Sequence, residues 1–556
     1  MDDPGVDDLV VPDPLQDGFG RALARLGLAV ARNPGRFLPA ATEFAANVVA
    51  AGANAATLAL GGEGRAVVAA DPKDRRFSDP AWEENPWFLG NGQAYLAWSL
   101  FMRQLVEHSQ LEPPTAVKAR FAVGAMVDAL APTNFLPTNP AALRKALDTG
   151  GESLLSGVCN FFTDVAENGG KPRQVDRSAF RMGEDLAATP GSVVFRNELM
   201  ELIQYAPQTE TVFEVPLLLS PPWINRYYIM DLAPGRSFVE WAVSQGHTVF
   251  AISYLNPDES MRHVALDDYL LHGLGTAIDV VRSITGADEV NVTGLCVGGT
   301  LAVMLLAYLA HAGKRRVRSV TLLNTLIDFS DPGPLGAFTD AKTVEGIEQR
   351  MAEHGFLEAT EMASTFDFLR ANDLIWNYVA SGWLMGEDPP AFDILAWNAD
   401  ATRISEATHS FYLRSCYLEN QLAASRMSLG GRQLRLDEID GDAYILAASE
   451  DHITPWRSSY ATTGLLPTRT RFVLSSSGHI AGVVNPPSPK RHYLTNEDLP
   501  EDSEEWLAGA TKHTGSWWGD WADWIATRAG ERRSPPSLGT PAHPPLCPAP
   551  GTYVTS

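Results

Sequence analysis

From Val212 onward, short apolar runs alternate with segments whose apolar residues recur at helical spacing. The runs Val215–Ser220, His247–Tyr254, Glu289–Thr293 and Val317–Thr325 are bounded by Gly, Pro, Asn or Asp, which predicts strands. Asp267–Thr285 has the spacing of a helix, and Thr300–Ala307 continues as a buried helix that stops at Gly313. Strands interleaved with helices predict a doubly wound, mostly parallel sheet. The pattern resumes with strands at Ala443–Ala448 and Arg471–Ser475. Residues up to about 200 are helical in pattern throughout, with Trp82, Trp87, Phe88, Tyr95 and Trp98 as expected packing anchors. Between Thr325 and Ala443 the alternation stops for more than a hundred residues, too many for a structureless loop in a compact domain. The aromatic stretches Asn372–Tyr378 and Phe392–Asn398 predict a folded cap there, inserted over the site. The expected organisation is a helical N-terminal domain over residues 1–200 and an α/β domain over 201–530, with a cap at about 328–440. A Pro-rich tail over 531–556 is expected to be extended or poorly ordered.

Within that frame, Gly294-Leu295-Cys296-Val297-Gly298-Gly299 places a cysteine where a strand turns sharply into a helix. This is the context of a nucleophile elbow. Flanking glycines suit a turn with no room for Cβ atoms, and the following helix lends its N-terminal amides and dipole to a thiolate. Two later segments agree with that reading. The strand Ala443–Ala448 leads into Ser449-Glu450-Asp451-His452-Ile453-Thr454-Pro455-Trp456, and Arg471–Ser475 leads into Ser476-Ser477-Gly478-His479-Ile480-Ala481-Gly482. Nucleophile, acid and histidine each follow a strand and stand in the chain order of the α/β-hydrolase fold. Asp451 also fits as a cap for a helix starting near Pro455, His479 as a satisfied loop histidine, and His452 competes as the base. His479 is preferred because the fold places its histidine after the last strand. The loop after the first strand, Ser220–Tyr228, should supply one oxyanion amide, from Trp223 or Ile224 because Pro221 and Pro222 lack an N–H. The other amide would come from Val297.

Composition narrows the function. A formal net charge of −24 argues against general nucleic-acid binding. No stretch reads as a bilayer span: the apolar run behind Cys296 is too short, and the Ala-rich segment from Ala40 to Leu60 is interrupted by Asn47, Gly52 and Asn54. The start Met1-Asp2-Asp3-Pro4 lacks the basic residues and apolar centre of a signal peptide, so a cytoplasmic location is expected. The four cysteines, Cys159, Cys296, Cys416 and Cys547, form no CxxC or His/Cys cluster, which argues against zinc or a disulfide framework. The basic run Lys314-Arg315-Arg316-Val317-Arg318 follows the helix behind Cys296, so it should lie at the opposite end of the sheet and is read as a solvated face.

With these residues in view, the sequence resembles the polyhydroxyalkanoate synthases, polyester polymerases that consume 3-hydroxyacyl-coenzyme A. The resemblance rests on Gly294–Gly299, on Pro221-Pro222-Trp223-Ile224-Asn225-Arg226-Tyr227-Tyr228-Ile229-Met230-Asp231-Leu232 and on Glu450–Trp456. It also rests on Ser477–Pro487, on Gly515-Ser516-Trp517-Trp518 with Trp521 and Trp524, and on the terminal Ala549–Val554, so it runs from about Asn85 to the C-terminus. The last match weighs against a merely disordered tail. The resemblance implies an α/β-hydrolase fold with an inserted cap and a helical N-terminal domain, as in the single-polypeptide classes. It also implies Cys296 as nucleophile, Asp451 as acid and His479 as base. Substrates would be (R)-3-hydroxyacyl-coenzyme A, probed first with 3-hydroxybutyryl-coenzyme A, and the growing polyester chain; no separate cofactor or metal is implied. The family further implies a homodimer as active form and attachment to the polyester granule surface. One departure lies in the cap, where Thr408-His409-Ser410-Phe411-Tyr412-Leu413-Arg414 replaces a stretch that often carries another cysteine. Alternatives are a cysteine hydrolase or thioesterase, a single-turn acyltransferase, and a non-catalytic granule-coat protein binding polymer through its tryptophans.

Overall fold

The computed structural model describes residues 18–556, so the acidic start Met1–Pro4 lies outside the described residues. The chain divides into two compact units, one formed by residues up to Asp176 together with Ser364–Pro390, the other by Arg177–Ala363 with Ala391–Ser556. The first unit is helical, with its longer helices at Phe19–Arg32, Pro34–Ala59, Pro86–Glu107, Pro113–Ala129 and Glu152–Glu167. Several start on proline, whose missing N–H costs nothing in the first turn, and the Asn85 side chain caps Pro86–Glu107 by accepting the Trp87 N–H at 2.9 Å. Ala22, Leu26, Tyr95, Val106, Ala119, Val123 and Val127 close its core. Of the expected anchors, Trp82 and Tyr95 are buried, but Trp87 is 58 % exposed. Its indole N–H donates to the Pro137 carbonyl at 3.0 Å, which fixes the ring on the surface. Among the described residues no helix is long and apolar enough to cross a membrane.

Part of the stretch read as a cap, Ser364–Pro390, belongs to this helical unit. Its Trp383 donates to Asp164 at 2.8 Å, and Asp164 also takes Arg173 at 2.6 Å. The remainder, including the helices Ala341–His354, Asp393–Asn398 and Glu406–Tyr412, belongs to the second unit.

The second unit is built on an 11-stranded sheet. Its strands are β1 Gly191–Arg196, β2 Met200–Tyr205, β3 Leu217–Ser220, β4 Val249–Tyr254, β5 Val290–Leu295, β6 Val317–Leu323, β7 Asp442–Ala448, β8 Thr470–Ser475, β9 His492–Thr495, β10 Thr511–Thr514 and β11 Cys547–Pro548. In space they run β10-β9-β8-β7-β6-β5-β3-β4-β2-β1-β11. The six central strands, β8 to β4, are parallel and the flanking ones antiparallel. Every residue of β3 and β5 is buried, as expected of strands covered on both faces, and this is why they read as continuous apolar runs. The helix foreseen over Asp267–Thr285 forms in three joined pieces, with a π-helical stretch at Tyr269–Gly275.

β1 falls inside the region whose pattern is helical, and β2 begins at its boundary. Glu201 and Gln204 break the apolar run of β2, yet both are buried and satisfied by the C-terminal segment. Glu201 accepts the Thr552 and Tyr553 N–H groups at 2.9 and 3.0 Å and pairs with Arg196, while Gln204 donates to the Ser537 carbonyl and accepts from Gly539. β11 adds to the edge of β1, so the tail is tied down rather than loose. The basic run after the helix Val297–His311 is spent on ion pairs: Arg315 with Glu289 and Asp440, Arg316 with Asp279, Arg318 with Glu289.

Candidate active site

The parallel register brings the C-terminal ends of five strands to one edge. Ser220 of β3 lies opposite Gly294 of β5, Leu295 opposite Leu323 of β6, and Ala448 of β7 opposite Ser475 of β8. The segments that leave these ends carry the Ser220–Tyr228 loop, Cys296, Asp451 and His479.

Cys296 joins β5 to the helix Val297–His311 with φ 52° and ψ −123°, a region that holds a non-glycine residue only under strain of about 1–3 kcal/mol. The surroundings fix it there. Its N–H donates to the Leu323 carbonyl at 2.9 Å, its carbonyl accepts from the Gly299 and Thr300 N–H groups, and the Thr325 hydroxyl approaches the same carbonyl at 3.3 Å. The flanking glycines answer to space: a Cβ on Gly294 would stand 2.4 Å from the Gly299 Cα, and one on Gly298 would stand 2.2 Å from the Ser220 carbonyl oxygen. The Ser220 hydroxyl donates to the Gly298 carbonyl at 3.0 Å and ties the two loops together. Val297 opens the helix, so its N–H has no acceptor in a preceding turn. Trp223 and Ile224 lie on the loop leaving β3, pinned by Thr402, which accepts the Asn225 N–H at 2.8 Å.

Asp451 and His479 meet directly: His479 Nδ1 lies 2.6 Å from Asp451 Oδ2, with the carboxylate wholly buried and the imidazole 7 % exposed. Asp451 is saturated, since Oδ1 accepts the Ile453 and Thr454 N–H groups at 2.8 and 2.9 Å and Oδ2 the Thr454 hydroxyl at 2.7 Å. It therefore closes a turn before the helix Trp456–Leu465 and is not that helix's cap. Burial alone would lower the His479 pKa, but the charge and hydrogen bond of Asp451 outweigh it. Together with the nearby Cys296 side chain, they push it up to about 10. Burial works against the Asp451 carboxylate, yet His479 and the Thr454 donors hold it below its ordinary range. His479 and Asp451 thus form one hydrogen-bonded pair, and Cys296 lies close enough to act on the imidazole electrostatically. His452 stands beside the pair, partly exposed, and Asp451 turns to His479 instead.

Two contributors were not singled out in the sequence. Thr454 supports both Asp451 and His479, the latter at 3.3 Å; its signal was a threonine three residues after an aspartate, a turn-closing pattern. Asn324, at φ 45° just past β6, donates its side-chain amide to the His479 carbonyl at 2.5 Å; a polar residue ending an apolar strand was the available cue. Aromatic rings gather at the same edge: Trp223 lies edge-on to Tyr412 at 5.8 Å, and Phe329 edge-on to Tyr412 and Tyr417 at 5.8 and 5.0 Å. In the divergent cap stretch, His409 is buried and burial lowers its pKa to about 4, so it is neutral. Among the described residues no group of three or more His, Cys, Asp or Glu gathers in a way that could hold a metal ion.

A parallel sheet of this order, with a cysteine in a strained strand-to-helix turn and an acid and histidine at the following strand ends, defines an α/β-hydrolase-fold protein. The family described as "alpha/beta hydrolase fold" matches residues 232–486, and "Poly-beta-hydroxybutyrate polymerase (PhaC) N-terminus" matches residues 73–242. The chain is 45 % identical over 543 residues to a poly(3-hydroxyalkanoate) polymerase of Methylorubrum extorquens, covering 97 % of this chain and 90 % of that one. It is also 45 % identical to the polymerase subunit PhaC of Cupriavidus necator, over 88 % of this chain and 85 % of that one. Polymerase 2 of Ectopseudomonas oleovorans is 43 % identical over 89 and 90 %. The chain belongs to the poly(3-hydroxyalkanoate) polymerase family, enzymes of acyltransferase type that make polyesters. Among solved structures, a putative hydrolase from Agrobacterium vitis S4 aligns at 14 % identity with TM-score 0.33, covering 53 % of this chain and 92 % of that one. The enol-lactonase from Burkholderia xenovorans LB400 aligns at 15 % with TM-score 0.26, covering 51 and 91 %.

Proposed function

We propose that the chain polymerises (R)-3-hydroxyacyl-coenzyme A, with 3-hydroxybutyryl-coenzyme A as a favoured short monomer, through an acyl thioester on Cys296. The observation that carries this reading is the hydrogen-bonded pair His479–Asp451 beside Cys296 at a strained elbow, in a chain that matches polymerases along nearly its whole length. His479, whose raised pKa favours the imidazolium, holds the proton drawn from the Cys296 thiol, and the sulfur attacks the substrate carbonyl as a thiolate. The bond to the coenzyme A sulfur breaks, and His479 returns the proton to that leaving sulfur. One thioester replaces another, so the acyl group keeps its activation and no separate cofactor is needed. The Val297 amide and one from Trp223 or Ile224 hold the negative oxygen of the tetrahedral intermediate.

In elongation the 3-hydroxyl of one acyl unit attacks the thioester of another, an ester forms, and the released sulfur takes up the hydroxyl proton. Because both Asp451 oxygens are already engaged, its role is to hold His479 in orientation and tautomer. The buried rings of Trp223 and Tyr412, with Phe329, keep water from the thioester, since hydrolysis would end the chain. The active form is a homodimer, and the enzyme leaves the cytosol for the polyester surface as product accumulates. Incubation with 3-hydroxybutyryl-coenzyme A, measuring coenzyme A release and insoluble polyester together, tests the reading. Release with only free 3-hydroxybutyrate would make the protein a thioesterase.

A further inference from the structure

The helix that carries His479 is too short to fix its own position. It spans His479–Val483 and is closed by the Gly482 and Val484 N–H groups donating to the Gly478 and Ile480 carbonyls, each at 2.8 Å. Carbonyls at its C-terminal end have no further turn to satisfy them. Side chains distant in sequence take that place. The Trp517 indole N–H donates to the Gly482 carbonyl at 2.8 Å and the Trp518 indole to the Val483 carbonyl at 3.0 Å. The Ser475 hydroxyl shares the Gly482 carbonyl at 3.0 Å, and the Ser516 hydroxyl donates to the Asn485 carbonyl.

The donors are themselves held in place. Trp517 and Trp518 are 0 and 1 % exposed, and both pack on Phe238, one stacked at 5.8 Å and the other edge-on at 5.4 Å. Ser516 caps their helix by accepting the Trp518 N–H at 3.0 Å. The same burial removes Trp517, Trp518, Trp521 and Trp524 as a polymer-binding surface, so the Gly515–Trp518 motif needs another reason to exist.

We propose that Trp517 and Trp518 are positioning residues for the base: their indole N–H groups hold the helix His479–Val483 so that Nδ1 meets Asp451 while the ring addresses Cys296. The inference rests on His479 being the base. It acts through hydrogen bonds, and so it separates from ring packing by a Trp→Phe change, which keeps an aromatic ring and removes the donor.

The experiment compares a Trp517→Phe/Trp518→Phe double variant with Trp521→Phe and Trp506→Phe in the full chain. Trp521 is equally buried and in the same cluster, but its indole donates to the Thr321 hydroxyl at 2.9 Å, away from the helix. The Trp506 indole nitrogen is buried without a hydrogen-bond partner, so its change tests ring shape alone. Readouts are coenzyme A release, the rate of Cys296 alkylation by iodoacetamide as a function of pH, and thermal unfolding. The double variant should lose on the order of 10²-fold in coenzyme A release, the scale of a misplaced catalytic group, and its alkylation profile should move away from the parent's towards that of His479→Gln. Trp521→Phe and Trp506→Phe should keep the parent profile even where they lower the unfolding temperature. If the double variant and Trp521→Phe lose activity only in step with stability, on an unchanged profile, the tryptophans are packing alone and the proposal fails. A His479→Gln enzyme with the parent activity and profile would instead overturn the assignment of the base, and the positioning role with it.

Discussion

Cys296 is the one cysteine held in a strained turn at the strand edge, whereas Cys159 is exposed and Cys416 sits in the core. Cys296→Ala should therefore abolish coenzyme A release and acyl labelling while circular dichroism remains that of the folded parent. Cys159→Ala and Cys547→Ala should keep most activity, and Cys416→Ala should keep activity with some loss of stability. Acyl label recovered on any other cysteine would refute this. Asp451→Asn places an amide where His479 needs an acceptor, so single-turnover acylation and elongation should fall together, by on the order of 10²- to 10⁴-fold. Fast acylation with slow elongation would show that Asp451 acts on the 3-hydroxyl instead. Folding raises the His479 pKa from 6.5 to about 10, so its protonated form favours the folded state. That contribution is complete below pH 6.5 and is lost as pH climbs towards 10. Asp451, held below 3.8, contributes above that pH and fades on acidification. The stability gap between the parent and His479→Gln, read by denaturant unfolding, should narrow as pH rises across the first window. A gap constant with pH would contradict the linkage.

At the scale of elements, the acid and histidine owe their geometry to connections rather than to strands. The turn Asp451–Thr454 spends both carboxylate oxygens, and Thr454→Val removes a hydrogen bond to a charged group, worth about 1.5–3 kcal/mol. Its unfolding midpoint should drop accordingly, with His479 less firmly held and acylation slower. The C-terminal segment plays a comparable part for the hairpin β1–β2, because Thr552 and Tyr553 supply donors to the wholly buried Glu201 carboxylate. Removing the residues after Pro548 leaves Arg196 as its partner in a site with fewer donors, a loss on the scale of other buried charged groups that lose partners. Thermal unfolding should show a clear drop, and Glu201→Gln in the truncated chain should restore part of it. No rescue would mean that Glu201 finds other donors.

On the scale of the whole molecule, Cys296, Asp451 and His479 all lie in the second unit, and the helical unit contributes none of them. The helical unit leaves large apolar side chains exposed, among them Val49 at 73 % and Leu60 at 89 %. Deletion of the residues before Asn85 should leave Cys296 reactive toward a thiol reagent while weakening self-association, read by sedimentation, or attachment to polyester, read by pelleting. A truncated enzyme that polymerises, dimerises and pellets like the full chain would show that this region does neither.

What the sequence determined by itself is the central sheet and the turn that holds Cys296. Strands buried on both faces write themselves as apolar runs, and an elbow demands small residues around its nucleophile, so β3 to β8 and Gly294–Gly299 were legible from local pattern. The antiparallel margins were not. Glu201 and Gln204 make β2 look unlike a buried strand because the groups that satisfy them lie more than three hundred residues away. The division of the cap region, the direct pairing of Asp451 with His479, and the support from Asn324, Thr454, Trp517 and Trp518 were likewise decided in three dimensions. Each depends on which distant hydrogen-bonding groups meet once the sheet has formed, and local periodicity carries no information about that meeting.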